Sequence, residues 1–122
     1  MTLAGAVAAV VKRLEGVSVG GVAARVFTDP QDVAPPCLFL PPPSADFTFG
    51  KGTVEATWEL FVVAPTAGGN SPAFGVIYDY VDALVPLGLP LDQMENYQLT
   101  LPSGNVAPAI RVTWPERIRI GV

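Results

Sequence analysis

Two clusters of proline bracket a short apolar run in the first third of the chain. Cys37 to Leu40 stand between the pair Pro35-Pro36 and the triplet Pro41 to Pro43. Because proline lacks an amide hydrogen and disfavours helical backbone in the residue before it, no helix can run through this stretch. A short apolar run with breakers at both ends is typical of a buried strand. We therefore expect one strand from Cys37 to Leu40.

The chain has the length of a single domain and is poor in charge. Its 122 residues predict one domain over 1–122, which buries roughly two thirds of its unfolded surface. Only 15% of the residues are charged, where about 25% is usual. Because large exposed apolar patches mark interfaces, we expect other subunits to cover part of the surface. The alternative is a monomer with a partly apolar surface.

Two segments have the apolar spacing of amphipathic helices. The first begins after Thr2, which can cap it, and ends near Gly16. The second begins at Ser71-Pro72, a cap followed by proline at the first helical position, and ends at Pro86. A period of about 3.6 residues predicts one buried stripe on each helix. The two stripes are Leu3, Ala6, Val7, Val10, Val11 and Leu14, and Phe74, Ile77, Tyr78, Val81, Leu84 and Val85.

The remaining segments predict strands. A strand over 22–27 precedes the proline-bracketed one, and a long hairpin over about 45–64 turns at Gly50-Lys51-Gly52. A second hairpin pairs 97–101 with 106–114, and an alternating tail at 117–120 can pair at a sheet edge. We predict an α+β fold: an antiparallel β-sheet with two amphipathic helices packed on one face and a projecting long β-hairpin.

Charge and cysteine content argue against several functions. The net charge is −4 and the seven basic residues are scattered, so nonspecific binding of nucleic acid has no basic patch to support it. The single cysteine, Cys37, excludes a disulfide framework, and its apolar surroundings predict a small buried hydrophobe. The sequence shows no secretory signal and no long apolar window. We therefore expect a soluble intracellular protein without a membrane span.

No pattern in the sequence indicates catalysis or metal binding. Histidine is absent, which removes the commonest general base and metal ligand, and one cysteine cannot build a structural zinc site. Glu55 and Glu59 on one strand would lie ~13 Å apart, too far for a paired-carboxylate hydrolase, so we expect them on a solvated or interface-facing strand face. Gly50 to Thr53 lacks the leading glycine of a phosphate-binding loop. We predict no catalytic residue, cofactor or metal.

The order of elements resembles that of a family of viral structural proteins. The similarity lies in Pro35 to Leu40, in Trp58 to Pro65, in the helix from Pro72 to Leu84 and in the ending 97–101 with 106–113. In these features the chain resembles tail terminator (tail-completion) proteins of long-tailed siphophages. It is most similar to those of phages infecting actinobacteria, which are related in fold to the lambda tail terminator. The resemblance covers nearly the whole chain and depends on element order and apolar pattern.

The resemblance implies a structural protein of the virion tail and neck, assembled in the host cytoplasm. Such proteins form a ring, usually a hexamer, on the head-proximal end of the tail tube. There they end tube polymerisation and provide the docking surface for the neck of the head. The implied partners are further copies of the chain, the tail tube protein and the head-neck stopper protein. DNA would pass through the lumen without specific binding, and no catalytic residue is known for the family.

A ring of head-to-tail contacts needs two different surface patches on each subunit. We expect the first hairpin to supply one of them, with Lys51 at its tip reaching a neighbouring subunit or the tube. An acidic lumen would also repel phosphate and let DNA slide. The residues predicted to form the subunit or tube interface are Asp46, Phe47, Phe49, Lys51, Glu55 and Glu59.

Three alternatives remain open at this stage. The chain could be another neck or head-tail joining component, or the tail tube protein itself, which would stack into long tubes. It could be a small carboxylate-dependent enzyme, whose activity would depend on pH and on one Asp or Glu. It could also be a generic ligand-binding module, which we would expect to stay monomeric.

Overall fold

The computed structural model describes residues 2–47, 52–65 and 70–120. Within these ranges the chain forms two α-helices, eight strands and two 3₁₀ turns, at Pro30–Asp32 and Val85–Leu87. The fold is α+β with a mostly antiparallel sheet, which confirms the predicted class. In chain order the elements are α1 (Leu3–Glu15), β1 (Ser18–Val19), β2 (Val22–Ala23), β3 (Val26–Phe27), β4 (Cys37–Phe39), β5 (Ser44–Asp46), β6 (Thr53–Val63), α2 (Asn70–Leu84), β7 (Gln93–Thr100) and β8 (Val106–Arg119).

The pairing of β6 with β8 forms the centre of a six-stranded sheet. These two strands run antiparallel over eleven residue pairs, from Thr53↔Arg119 to Val63↔Ala109. At one end of the pair β4 and then β3 lie beside β6, and β7 lies beside β8. At the other end β5 lies beside β6. The β3–β4 pair is parallel, and the other pairs of this sheet are antiparallel.

The main core lies on one face of the β6–β8 pair. Even-numbered residues of β6 are buried there, as the alternation of apolar and polar residues in its sequence predicted. Both helices contribute side chains to the same cluster at a spacing of three or four residues, which places them on one stripe of each helix. These helix residues are Ala6, Val10 and Leu14 of α1 and Ile77, Tyr80 and Leu84 of α2.

Two tryptophans meet at the middle of the main core. Trp58 of β6 is the register partner of Trp114 of β8, and both side chains are fully buried. Their rings stack with centroids 6.2 Å apart and an interplanar angle of 16°. The Trp58 Nε1–H donates a hydrogen bond to Glu116 Oε2 at 3.1 Å, so the indole nitrogen keeps a polar partner. Such an aromatic pair contributes about 1 kcal/mol beyond the area it buries.

A second apolar cluster occupies the opposite face, at the wide end of the sheet. It contains Cys37 and Phe39 of β4 and Phe61 of β6, and the rings of Phe39 and Phe61 stack at 5.9 Å. Leu38 and Leu40, by contrast, belong to the main core. The proline-bracketed strand is therefore buried on both faces, as its uninterrupted apolar sequence predicted, and it extends over Cys37–Phe39.

The single strand predicted over 22–27 is wrong. Ser18–Val19 and Val22–Ala23 instead form a separate two-stranded pair, and Val26–Phe27 joins the main sheet beside β4. The cause is the turn at Gly20 and Gly21, whose φ angles of 60° and 78° match the left-handed geometry of a tight hairpin. The predicted loop over 17–21 did not take Gly20-Gly21 as a hairpin turn.

The second hairpin is longer than predicted. Its first strand, β7, begins at Gln93 within the segment that we expected to be a loop. Its second strand, β8, continues through Arg119, so the tail at 117–120 is a continuation of this strand and pairs with β6. The sequence signals of β7 are weak because all but one of its residues are exposed.

The first hairpin is shorter on its first arm than predicted. β5 pairs with β6 over three residues, Ser44 to Asp46, and Phe47 follows the strand. β6 is paired with β8 along its whole length, so it is an interior strand of the sheet at this point. Phe49 and Lys51 lie outside the described residues.

The stripe predicted for α2 is only partly correct. Ile77 and Leu84 are buried, and Tyr80 joins them, but Phe74, Tyr78 and Val85 remain 45% to 63% exposed. The apolar residues of α2 cover an arc wider than the sheet can bury, and the helix turns the Ile77–Tyr80–Leu84 side inward. A second apolar stripe is thereby left on the outside.

Gly52 marks the point where β6 begins, and it is held against the end of β8. Its φ is +75°, and a Cβ placed on it would lie 2.8 Å from the carbonyl oxygen of Ile120. The Ile120 amide in turn donates to the Gly52 carbonyl at 2.5 Å. An alanine here would combine an unfavourable backbone conformation with a backbone collision.

We predict that Gly52→Ala lowers the free energy of unfolding by at least about 1 kcal/mol more than Gly104→Ala. Gly104 is the matched control because its φ is +89° but nothing lies within 4 Å of an added Cβ. Urea denaturation of the two variants measures the difference. Equal losses would show that the contact with Ile120 does not constrain this turn.

Candidate interaction surfaces at the two edges of the sheet

The described part of the chain has no arrangement that indicates chemistry at a metal or a buried polar site. It contains no group of three or more His, Cys, Asp or Glu side chains that could hold a metal, and no buried polar or charged residue. Neither of its helices is long and apolar enough to cross a membrane. The features that remain are on the surface, at the two edges of the sheet.

Cys37 is a structural residue. Its side chain is fully buried in the second cluster. Burial raises the pKa of its thiol to about 11, against smaller opposing effects from the backbone at Ala34 and the charge of Arg25. Because the thiolate is the reactive form, this cysteine is a poor nucleophile at neutral pH.

The predicted interface residues are only partly brought together. Asp46 and Glu55 are register partners across β5 and β6, and Phe47 follows with 72% of its surface exposed. Glu59 lies four residues further along β6 than Glu55, at ~13 Å, and belongs to a different set of contacts. Phe49 and Lys51, being outside the described residues, have no structural assignment here.

Glu59 takes part in an ion cluster that spans three strands. Arg111 of β8 lies 3.5 Å from Glu59 of β6 and 2.8 Å from Glu95 of β7. Its guanidinium carbon is also 5.9 Å from the centre of the Tyr97 ring. These side chains are partly exposed, so each contact contributes at most about 1 kcal/mol. Together they hold β7 against β8 on this face.

The first surface is at the narrow end of the sheet, where three strands remain. We call it the arm end and define it as Ser44 to Phe47 with Arg117 and Arg119. Glu55 lies 3.9 Å from Arg117, whereas the register partner of Arg119 is the uncharged Thr53. An exposed aromatic side chain and an arginine without a carboxylate opposite it thus lie at the same end of the sheet.

The second surface begins at β7, which forms the opposite edge. In the described chain no strand lies on the outer side of β7. The Leu101 amide donates to the Asn105 carbonyl at 2.7 Å, so odd-numbered residues of this hairpin form the hydrogen-bonded pairs. The amides and carbonyls of Met94, Asn96 and Gln98 therefore point outward. An unpaired edge of this length is a template for strand pairing.

The outer stripe of α2 lies beside this edge. Phe74 lines a groove of about 460 Å³ with Asn96, Gln98 and Pro108. Val81 lines a second groove, of about 140 Å³, with Leu91 and Met94. We call the combined surface the α2–β7 face and define it by the outer stripe of α2 together with β7. Of the nine large apolar side chains exposed in the described residues, Phe74, Tyr78 and Met94 lie on this face, Val85 lies in the 3₁₀ turn that follows α2, and Tyr97 points to the opposite side of the sheet, against Phe61.

On the α2 side of β7 the charged side chains at the grooves are acidic, whereas Arg111 pairs with Glu95 on the opposite side of the strand and Arg13 donates to the Leu87 carbonyl beyond the end of α2. The sequence has no Lys or Arg between Lys51 and Arg111. Asp82 lies one helical turn after Tyr78, and Asp92 lines the smaller groove. The face is therefore apolar in its middle and acidic at its margin.

The sequence predicted an interface at the first hairpin, which includes part of the arm end, and gave no prediction for the α2–β7 face. The exposed aromatic pair Phe74 and Tyr78, at helical spacing, was assigned to the core. Three signals were available: an apolar arc on α2 wider than one stripe, the absence of basic residues from 52 to 110, and uncharged polar residues alternating along 94–100. None of them identifies an edge strand without the sheet topology.

No protein-family model matches the chain, and no curated protein is significantly similar to it. The two surfaces are therefore interpreted from their geometry and charge.

We predict that native Cys37 resists alkylation by iodoacetamide at pH 8 and that stability falls as the pH rises from about 9 to about 11. The folded thiol ionises at a higher pH than the unfolded thiol, so its contribution is fully present below pH 9 and is lost toward pH 11. Urea denaturation across this range measures the loss, which we expect to be about 2 kcal/mol.

Cys37→Ala is the control for this prediction, because it retains every other ionisable side chain. Its stability should change less above pH 9 than that of the native chain. Rapid alkylation of the folded native chain at pH 8, or identical pH profiles for the two proteins, would contradict the assignment of Cys37 as a buried neutral thiol.

Proposed function

We propose that this protein is a structural component of a phage tail, a terminator that forms a ring on the head-proximal end of the tail tube. The ring ends tube polymerisation and provides the surface on which the neck of the head docks. The observation that carries the proposal is the presence of two unlike surfaces at opposite edges of one sheet. A head-to-tail contact joins two different patches, and repeated rotation by the same angle can close it into a ring.

The surface composition supports assembly. Only 15% of the residues are charged, and three of the nine exposed large apolar side chains in the described residues, Phe74, Tyr78 and Met94, lie on α2 or on the side of β7 that faces it. A patch of this kind, rimmed by polar residues, is typical of an interface.

The finer architecture belongs to the same proposal. Both helices lie on one face of the sheet, and the arm end projects as a hairpin. Side chains of both helices in one core cluster support the first statement. The narrowing of the sheet to β5, β6 and β8 at one end supports the second. A projecting arm gives a ring subunit the reach to contact its neighbour or the tube.

The proposed partners are further copies in a ring, typically a hexamer, together with the tail tube protein and the head-neck stopper protein. DNA passes through the lumen without specific binding. The net charge of −4 and the stretch from 52 to 110, which carries acidic and no basic residues, support a passage that repels phosphate. In this proposal the protein belongs to the virion and acts on no substrate.

We predict discrete rings of about six subunits in native mass spectrometry, with single rings in negative-stain images. Tyr78→Asp should abolish the rings, because it places a charge in the apolar middle of the α2–β7 face. Val22→Asp is the control, since Val22 is exposed on the β1–β2 hairpin and belongs to neither defined surface. It should leave the rings intact.

Open-ended tubes would contradict the terminator function and favour a tube protein. A monomer at every concentration would contradict ring closure by this chain.

A further inference from the structure

The two surfaces match each other in shape, polarity and charge, which goes beyond the statement that each is exposed. We infer that the α2–β7 face is the acceptor for the arm end of a neighbouring copy, with Phe47 of that copy entering the groove beside Met94. This inference rests on the proposed ring and names the contact that builds it.

The acceptor has backbone and side-chain features that suit an added strand. Met94, Asn96 and Gln98 present outward amides and carbonyls, and none of these three side chains carries a charge. The grooves between β7 and α2 lie directly behind this edge. An edge strand backed by an apolar groove binds an extended segment through its backbone and takes alternate side chains into the groove.

The arm end has the features of the complementary strand. Even-numbered residues of β6 hydrogen-bond to β8, as the Ala64 amide does to the Pro108 carbonyl, so its odd-numbered residues bond to β5. Ser44 and Asp46 therefore point their backbone groups inward, and Ala45 points its amide and carbonyl outward. Phe47, two residues later, supplies a large exposed apolar side chain.

Phe47 at one edge and Met94 at the other would lie on the same face of a continuous sheet. Ala45 packs against the main core. In the inferred contact the extended backbone of β5 continues through Phe47, which then shares the face of Ala45. Met94 is the register partner of Val112, which also belongs to the main core. When one sheet continues from copy to copy, its faces are preserved. Phe47 of one copy then meets the Met94 side of the next, where the groove is.

The charges of the two surfaces are also complementary. The acceptor margin carries Asp82 and Asp92, while the nearby Arg111 is paired with Glu59 and Glu95 and Arg13 donates to the Leu87 carbonyl. The donor carries Arg119, whose register partner is uncharged. A second copy of the α2–β7 face would instead bring acidic margins together, so a two-fold contact between identical faces is disfavoured. The matching pair is donor to acceptor, which is the head-to-tail arrangement that a ring requires.

Cysteine cross-linking tests this contact directly, because the native Cys37 is buried and unreactive. Phe47→Cys and Met94→Cys are prepared separately, mixed and treated with a short bismaleimide. We expect a covalent dimer in the mixture and little or none with either variant alone. Val22→Cys mixed with Met94→Cys is the control for random collision and should not cross-link. A chain with both Phe47→Cys and Met94→Cys should give a ladder of products that ends at the ring size.

The possible outcomes distinguish failure of the inferred contact from failure of the proposed ring. Rings without a cross-link between the two variants would overturn the inferred contact and leave the proposed function standing. Efficient cross-linking together with open tubes would support the contact and contradict the terminator function. Equal cross-linking by either variant alone, or by the Val22→Cys control, would overturn the inference, as would a monomer with no product.

Discussion

The rest of the structure depends on the antiparallel pairing of β6 with β8. Eleven consecutive residue pairs join these strands, and the stacked Trp58 and Trp114 rings fix their register at the centre. Because side chains alternate between faces, a shift of one residue would move every buried side chain of β6 to the opposite face. The alternation of buried and polar residues in β6 therefore specifies one register. Side chains of both helices join the core cluster that contains the tryptophans.

The flanking strands cover this central pair unevenly, and the two candidate surfaces follow from that. β4 and β7 lie beside one end of the pair, and β5 lies beside the other. The sheet is consequently wide at one end, where its second face carries an apolar cluster, and narrow at the other, where charged side chains and Phe47 are exposed. The long outer edge of β7 and the short outer edge of β5 lie on opposite sides of the sheet. A subunit of this shape has unlike edges, as head-to-tail assembly requires.

Much of the fold was predictable because local patterns and tertiary packing agree. The proline-bracketed run at Cys37–Leu40, the alternation along β6 and the stripe of α1 each led to the correct element. The predictions were wrong where a local sequence pattern is compatible with two different structures. The two glycines at 20–21 allowed a tight turn that split one predicted strand into two. On α2 the choice between Phe74 and Tyr80 for the core depends on how the helix is rotated against the sheet, which its sequence does not specify.

The candidate surfaces were harder to predict than the core. Asp46, Phe47 and Glu55 were expected at an interface and lie together at the arm end. Glu59 was expected with them, but it is held by Arg111 in a cluster that includes Glu95. Predicting the α2–β7 face requires knowing which strand forms the edge of the sheet. Strand order is a property of the whole chain, so no single segment indicates that none of the described strands lies outside β7.

Amide hydrogen exchange along β7 tests the central claim, that assembly adds a strand to this edge. The amides of Glu95, Tyr97 and Leu99 bond to β8 and provide an internal control, whereas those of Met94, Asn96 and Gln98 point outward. On assembly we expect the outward set to exchange about tenfold more slowly or slower still, with the inward set unchanged. Outward amides that exchange as fast in the assembled rings as in the free chain would contradict the account.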